Sequence, residues 1–333
     1  MKSFFSQSSR KLFRVLPRVS NYSAILMLHR VGLRDCKRIP ANQNMVITPD
    51  ELDAFVSKSK KSGWSFISMD ELVETVKNNL PIKKTLILTF DDGYLDNLTD
   101  AAPVLEANEV PYIVYVTTGF IEGDEMPWWY SLESMLSHFR ELQLPDGSSV
   151  IVDSLADRQS AFMAIRQEIM SSNYIAKQYK DWMHSHRTFP CFEKKRVFMN
   201  WAEVKELSGL PFATIGAHTH THPVLSRLSD VDAFEEVSQS KEILQANLGK
   251  VVKHFAFPFG GNAEVSKKDL KIVAELGFES AVTTRMGAIS KSECDLLSLP
   301  RCFYGPSLSL KALQNELFEF MIKNRFKKAL GYA

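Results

Sequence analysis

Four short runs limit the fold more than any other feature of the chain. Ala24–Leu28, Thr85–Phe90, Tyr112–Val116 and Phe212–Ile215 are near-continuous apolar stretches of four to six residues. A strand apolar on both faces must be covered on both faces, which is the mark of a parallel sheet flanked by helices. The segments between them carry helix starts. Thr48-Pro-Asp-Glu51 and Ser68-Met-Asp-Glu71 both place a hydroxyl cap three residues before a glutamate, the capping-box pattern. Ser229-Asp-Val-Asp232 opens a helix expected to run to Leu248 and stop at Gly249, and another is expected at about 266–276, ending at Gly277. Further strands are expected at Lys253–Phe257 and Ser280–Thr284. The expected class is therefore α/β, and 333 residues suit one closed α/β barrel.

From about residue 121 to 200 the alternation lapses. Trp128-Trp-Tyr130 leads into helical, partly polar sequence with Pro145-Asp-Gly147 as a turn, so a largely helical insertion is expected there. The domain plan is a basic leader over 1–23, a barrel over 24–306 interrupted by that insertion, and a basic C-terminal helix over 307–333. Charge supports the plan. The whole chain carries 40 basic and 39 acidic residues, net +1, which argues against bulk nucleic-acid binding. Yet Lys2, Arg10, Lys11, Arg14, Arg18, Arg30 and Arg34 precede the first acid, and Lys323, Arg325, Lys327 and Lys328 end the chain. Phe4, Phe5, Leu12, Phe13, Val15 and Leu16 alternate with the first of these cations, a composition suited either to an anionic membrane surface or to a solvated leader. The N-terminus lacks the uninterrupted apolar core of a secretory signal. Cys36, Cys191, Cys294 and Cys302 form no CxxC pair. Reduced thiols and a cytoplasmic enzyme, resting peripherally on the inner membrane face, are the expectation.

Chemistry concentrates where the strands end. His29 follows the first apolar run, Asp91-Asp92-Gly93 the second, and His218-Thr-His-Thr-His222 the fourth. In parallel α/β folds those ends form one ligand-binding face, so the three clusters can converge. Histidines at i and i+4 share one side of a helical turn and suit a single cation. By the same geometry His220 faces away. A third ligand must come from elsewhere, and two imidazoles with one carboxylate leave room for water. Adjacent carboxylates do not both ionise cheaply in a partly buried site without a cation. That favours one Asp as ligand and its neighbour as base, over the alternative of a simple helix cap.

Thr89-Phe-Asp-Asp-Gly-Tyr94, His218-Thr-x-x-His222 and Phe255-Ala-Phe-Pro-Phe-Gly260 together resemble the signature of the NodB-like polysaccharide deacetylases, carbohydrate esterase family 4. Leu26-Met-Leu-His-Arg-Val31 and Ala281-Val-Thr-Thr-Arg285 with Leu299-Pro-Arg301 resemble one branch of that family, which has a histidine on its N-terminal strand. The resemblance runs from about residue 24 to 303. It implies a distorted (β/α) barrel and a metal-dependent N-deacetylase acting on N-acetylated sugars of a polysaccharide or its precursor, and the basic chain ends suit a lipid-linked form of that precursor. Asp91 would be the base. Asp92, His218 and His222 would hold a divalent ion, usually zinc. The Phe259 backbone N–H would receive the oxyanion, and His29 would protonate the departing amine. The alternative for His29 is a hydrogen-bonded core histidine. Trp128, Trp129, Pro258 and Arg301 are expected to bound the substrate, although the aromatics could instead anchor the insertion.

The chain departs from the family pattern in three places. Ala256 stands where members carry an arginine that pairs with the catalytic aspartate, and Arg301, with Arg285 behind it, is a candidate replacement. Phe259 replaces a usual tyrosine, and Leu28 another. No C-terminal Leu-x-His follows. The missing arginine and histidine keep open a catalytically silent glycan-binding protein, and an O-deacetylase or other amide hydrolase would use the same site.

Overall fold

The computed structural model describes residues 22–123, 127–186, 196–289, 294–306 and 308–329. Most of the basic leader, and Cys191, lie outside the described residues, so the expected membrane contact rests on sequence alone. Among the described residues no helix is long and apolar enough to cross a membrane.

The apolar runs become strands as expected. In chain order the main sheet contains β1 (Ser23–Leu28), β2 (Ser65–Phe66), β3 (Thr85–Phe90), β4 (Tyr112–Val116), β5 (Ala213–Ala217), β6 (His254–Ala256), β7 (Ser280–Val282) and β8 (Cys302–Phe303). Every pairing among them is parallel. Their spatial order is β7-β6-β5-β4-β3-β1-β8, with β2 beside the start of β3. The two ends nearly meet. Leu299 bridges to Val282 of β7, and three residues later Cys302 pairs with Leu26 of β1. The irregular segment Leu299–Phe303 therefore closes a distorted (β/α) barrel, and it carries Arg301 across the gap.

Parity along the strands sorts the side chains. Ile25, Ile87, Ile113, Tyr115, Ala256, Val282 and Leu299 form one buried cluster, which also takes Met69 and Leu72 from the helix Met69–Lys77. Ala24, Leu26, Leu28, Leu86, Leu88, Phe90, Val114 and Val116 belong to the larger cluster under the surrounding helices. Thr89 and Asp91 share the parity of Ile87, so both follow its side of the strand. Both capping boxes form, at Thr48/Glu51 and Ser68/Glu71. Gly249 and Gly277 end their helices with φ of 64° and 71°.

Between β4 and β5 lie a short helix over Thr118–Glu122, the helices Trp128–His138, Leu155–Ile169 and Asn173–Ser185, a hairpin of Glu141–Gln143 with Ser149–Ile151, and the helix Trp201–Ser208. Much of this stretch has its own core, built from Leu132, Leu136, Leu142, Val152, Phe162 and Ile165. It is tied to the loop after β1 by fully buried Glu133, whose carboxylate accepts from the Arg38 guanidinium at 2.6 Å, the Ile39 N–H at 2.9 Å and the Asn42 amide at 2.7 Å.

Candidate active site

His29 follows β1, Asp91 and Asp92 follow β3, His218 follows β5, and Phe259 lies just beyond β6. All of them line one cavity of about 590 Å³ at the C-terminal ends of the strands.

The backbone there is unusually strained. Of six non-glycine residues with positive φ among those described, four are Asp92 (78°), Thr219 (62°), His222 (60°) and Phe259 (59°). Such conformations cost on the order of 1–3 kcal/mol each and persist only where surrounding contacts enforce them. Gly93, at φ 85°, completes the reversal after β3. Gly216 meets a different need: a Cβ there would sit 2.4 Å from the Tyr115 ring.

His218–His222 is not a helical turn, as the spacing suggested, but a loop. The Glu236 carboxylate shapes it, accepting from the His220 and Thr221 N–H groups at 3.0 and 2.8 Å and from the Thr221 hydroxyl at 2.6 Å. The Thr219 hydroxyl accepts from the His222 N–H at 3.1 Å. His220 does turn away, its Nδ1 meeting the Thr118 hydroxyl at 2.8 Å. The left-handed bends, rather than helical periodicity, put the two imidazoles side by side, with ring centroids 4.9 Å apart.

Both rings converge on Asp92. Its Oδ1 is 3.5 Å from His218 Nε2 and 3.3 Å from His222 Nε2, and one ligand atom from each of the three residues lies within 4.8 Å of the others. The Ala256 carbonyl accepts from His218 Nδ1 at 2.8 Å. That bond fixes the proton on Nδ1, so in the neutral ring the Nε2 lone pair faces a carboxylate oxygen. Asp92 Oδ1 is buried and makes no aligned hydrogen bond. Lone pairs facing one another between buried side chains call for a positive charge between them. With zinc–ligand bonds of about 2.0–2.1 Å, neighbouring ligands in a tetrahedron lie roughly 3.3–3.4 Å apart, which matches the Asp92–histidine separations. The donor set fits a divalent ion. Burial alone would raise the Asp92 carboxyl, but the two imidazoles outweigh it and hold it well below the ordinary range. Burial would likewise lower His218, and Asp92 reverses the sign.

Asp91 has a different partner. Arg301 clamps it bidentately, Nη1 to Oδ1 and Nη2 to Oδ2, both at 2.7 Å. The same guanidinium donates to the Thr89 hydroxyl at 3.1 Å and, through Nε, to the Thr283 carbonyl at 2.9 Å. Arg301 is 1% exposed. It sits behind Asp91 instead of on the cavity wall, where a substrate-binding role would place it. Pro258 is buried as well and is not part of the lining. Burial would raise Asp91, but the Arg301 charge wins and holds its carboxyl below the usual value. Arg285 is engaged elsewhere, by Ser298 and the Val265 carbonyl.

His29 lines the cavity, its Nδ1 has no hydrogen-bond partner, and burial lowers its pKa despite the nearby aspartates. The Phe259 carbonyl accepts from the Thr284 hydroxyl at 2.6 Å, whereas its N–H makes no hydrogen bond among the described residues. Trp129 lines the cavity and meets the His222 ring edge-on at 5.2 Å. Trp128, also in the lining, stacks on Phe162 at 5.8 Å. Trp129 also packs against both the barrel core and the insertion core. Glu236 and the lining residues Gln159, Phe162 and Arg166 escaped the sequence reading. Only the packing of their helices brings them to the site: helical spacing puts Gln159, Phe162 and Arg166 on one face but does not say what that face meets.

A family model described as polysaccharide deacetylase matches residues 78–143 and 172–281, more than half of the chain. No curated protein matches. Among solved structures, the Streptococcus pyogenes deacetylase PplD in complex with acetate is 23% identical with a TM-score of 0.60, covering 89% of this chain and 98% of that one. A de-N-acetylase from Aggregatibacter actinomycetemcomitans is 14% identical with a TM-score of 0.59, over 89% and 100% of the two chains. The BpsB deacetylase domain from Bordetella bronchiseptica is 18% identical with a TM-score of 0.54, over 86% and 98%. At these identities the three likenesses concern the fold.

Proposed function

From the premise that this chain belongs to the polysaccharide deacetylase family, we propose that it is a metal-dependent N-deacetylase that removes acetyl from N-acetylated sugars of a polysaccharide or of its lipid-linked precursor. The observation that carries the proposal is the division between neighbouring carboxylates: Asp92 faces two imidazoles, while Asp91 is held apart by Arg301.

Asp92, His218 and His222 hold the divalent ion, most simply zinc. When bound, the ion supplies Lewis-acid polarisation of the acetamide carbonyl and lowers the pKa of a water beside it. Asp91 is the base. Arg301 occupies one lone pair on each of its oxygens and leaves the others free to take a proton from the attacking water. The clamp also prevents the carboxylate from swinging towards the imidazoles. The Phe259 N–H, strained at positive φ and with no other acceptor among the described residues, donates to the developing oxyanion. His29 delivers a proton to the departing amine nitrogen. Burial favours its neutral ring, which is no acid until protonated, so the proton that Asp91 removes from the water passes to His29 and from there to the nitrogen. Trp128 and Trp129 offer half-buried aromatic faces to the sugar ring.

The catalytically silent alternative rests on the missing motif arginine and the missing C-terminal Leu-x-His, and His29 is the proposed stand-in for the second. Arg301 supplies an equivalent guanidinium from another part of the chain, which favours turnover. The test is acetate release from N-acetylated oligosaccharides. Release should require a divalent ion, stop with a chelator, return on adding zinc, and fall about 10²–10⁴-fold in Asp91→Asn, the range for losing a positioned base. A folded, zinc-binding protein that binds the sugars and releases no acetate would instead be the silent binder.

A further inference from the structure

The cavity has a second charged wall that this chemistry leaves unused. It comes from the helix Leu155–Ile169, within residues 144–171 that the family match skips. Gln159, Phe162, Met163 and Arg166 recur at helical spacing and all line the cavity. Gln159 is anchored through Oε1, which accepts from the Ala41 N–H at 2.9 Å. Its amide nitrogen makes no hydrogen bond among the described residues.

Arg166 is the anomaly. It is half-buried, yet among the described residues its guanidinium makes no hydrogen bond and no ion pair. Glu264 acts on it through space without closing to contact. Within the lining the only acids are Asp91 and Asp92. The first is clamped by Arg301 and the second faces the imidazoles. A place in the last turn of its helix suits a cation but does not explain why the side chain lines the cavity. Withdrawing a guanidinium from water without a counter-charge is costly, and its planar fork matches the oxygens of a carboxylate or phosphate.

We propose that Arg166 and the Gln159 amide form a subsite for an oxyanion, a carboxylate or a phosphate, carried by the glycan beside the acetamido sugar. This rests on the deacetylase function above, with the cavity as its substrate site. The enzyme then selects acidic N-acetylated glycans over neutral ones.

The test compares kcat/KM for acetate release, using the full-length zinc-loaded protein and three oligosaccharides: neutral N-acetylglucosamine oligomers, oligomers alternating N-acetylglucosamine with glucuronate, and oligomers joined by phosphodiesters. The expected ratio of acidic to neutral kcat/KM is about tenfold or more. It should fall close to one in Arg166→Gln and recover in part in Arg166→Lys. The acidic substrate that shows the preference tells carboxylate from phosphate. The same ratio in wild type and Arg166→Gln would overturn the subsite. If no oligosaccharide releases acetate, the deacetylase function fails, and binding of the glucuronate oligomer, followed by tryptophan fluorescence, decides the subsite by itself. Roughly tenfold weaker binding in Arg166→Gln supports it, and equal binding overturns it.

Discussion

The two ends of the barrel each hold a histidine–aspartate cluster, and they are built in opposite ways. At the N-terminal ends of the strands, His254 begins β6 and Ser280 begins β7. His254 Nδ1 meets the Ser280 hydroxyl at 2.9 Å, and its Nε2 meets Asp70 at 3.3 Å. Lys253 reaches both Asp70 and Glu279. Each polar atom of the ring has a partner, the backbone is relaxed, and the Asp70 side chain is 50% exposed. At the C-terminal ends, Asp92 and His222 each keep a buried atom with no hydrogen-bond partner, and both sit at positive φ. The acid–histidine pairing is common to both ends. The contrast in satisfaction is what distinguishes them: the polar atoms of the lower ring are all partnered, whereas the upper cluster leaves a carboxylate oxygen facing two imidazoles, the place of the proposed cation.

The sharpest way to break this comparison is to remove one histidine from each end. His218→Ala should abolish stoichiometric zinc binding and lower acetate release by about 10²-fold or more. His254→Ala should leave both zinc content and acetate release within about twofold of wild type. Elemental analysis alongside a kinetic assay reads both, and equal losses from the two variants would refute the distinction.

A second variant separates packing from chemistry at the upper end. Arg301→Leu strips Asp91 of its partner in a site where both side chains are at most 3% exposed. Stability should fall by about 3–5 kcal/mol, the usual cost of breaking a buried pair, as read by denaturant unfolding. Zinc binding should persist in the protein that remains folded, because Arg301 touches none of the proposed ligands.

The smallest effect concerns acid. His254 holds Asp70 down at about 2, from an ordinary value near 4. A depressed carboxyl contributes stability above its unfolded pKa and loses it as pH falls through the folded one. The loss therefore belongs between about pH 4 and pH 2. Comparing unfolding across that window, Asp70→Asn should show a shallower decline than wild type. Its stability at pH 7 should be modestly lower, since the pair is half open to solvent. Unchanged acid sensitivity would mean the lower cluster is electrostatically idle.

Local pattern carried much of this molecule. Continuous apolar runs can be buried only in a two-sided sheet, and capping residues fix where helices begin, so strands, helix starts and the convergence of His29, Asp91, Asp92, His218 and His222 could be read from order alone. The helical reading of His218–His222 failed because periodicity describes regular backbone, while Glu236 and two left-handed residues bend that loop from outside. Arg301 could be named as a replacement for the missing arginine, but not placed, since 210 residues separate it from Asp91. The closing segment of the barrel removes that separation.

The sequence by itself thus determined which residue types stand at the strand ends, because burial and turn chemistry act over a few neighbours. Tertiary structure alone decided which of their atoms are left without partners. That depends on what other chain segments supply: the Ala256 carbonyl for His218, the guanidinium of Arg301 for Asp91, and for Arg166 no group on the described chain.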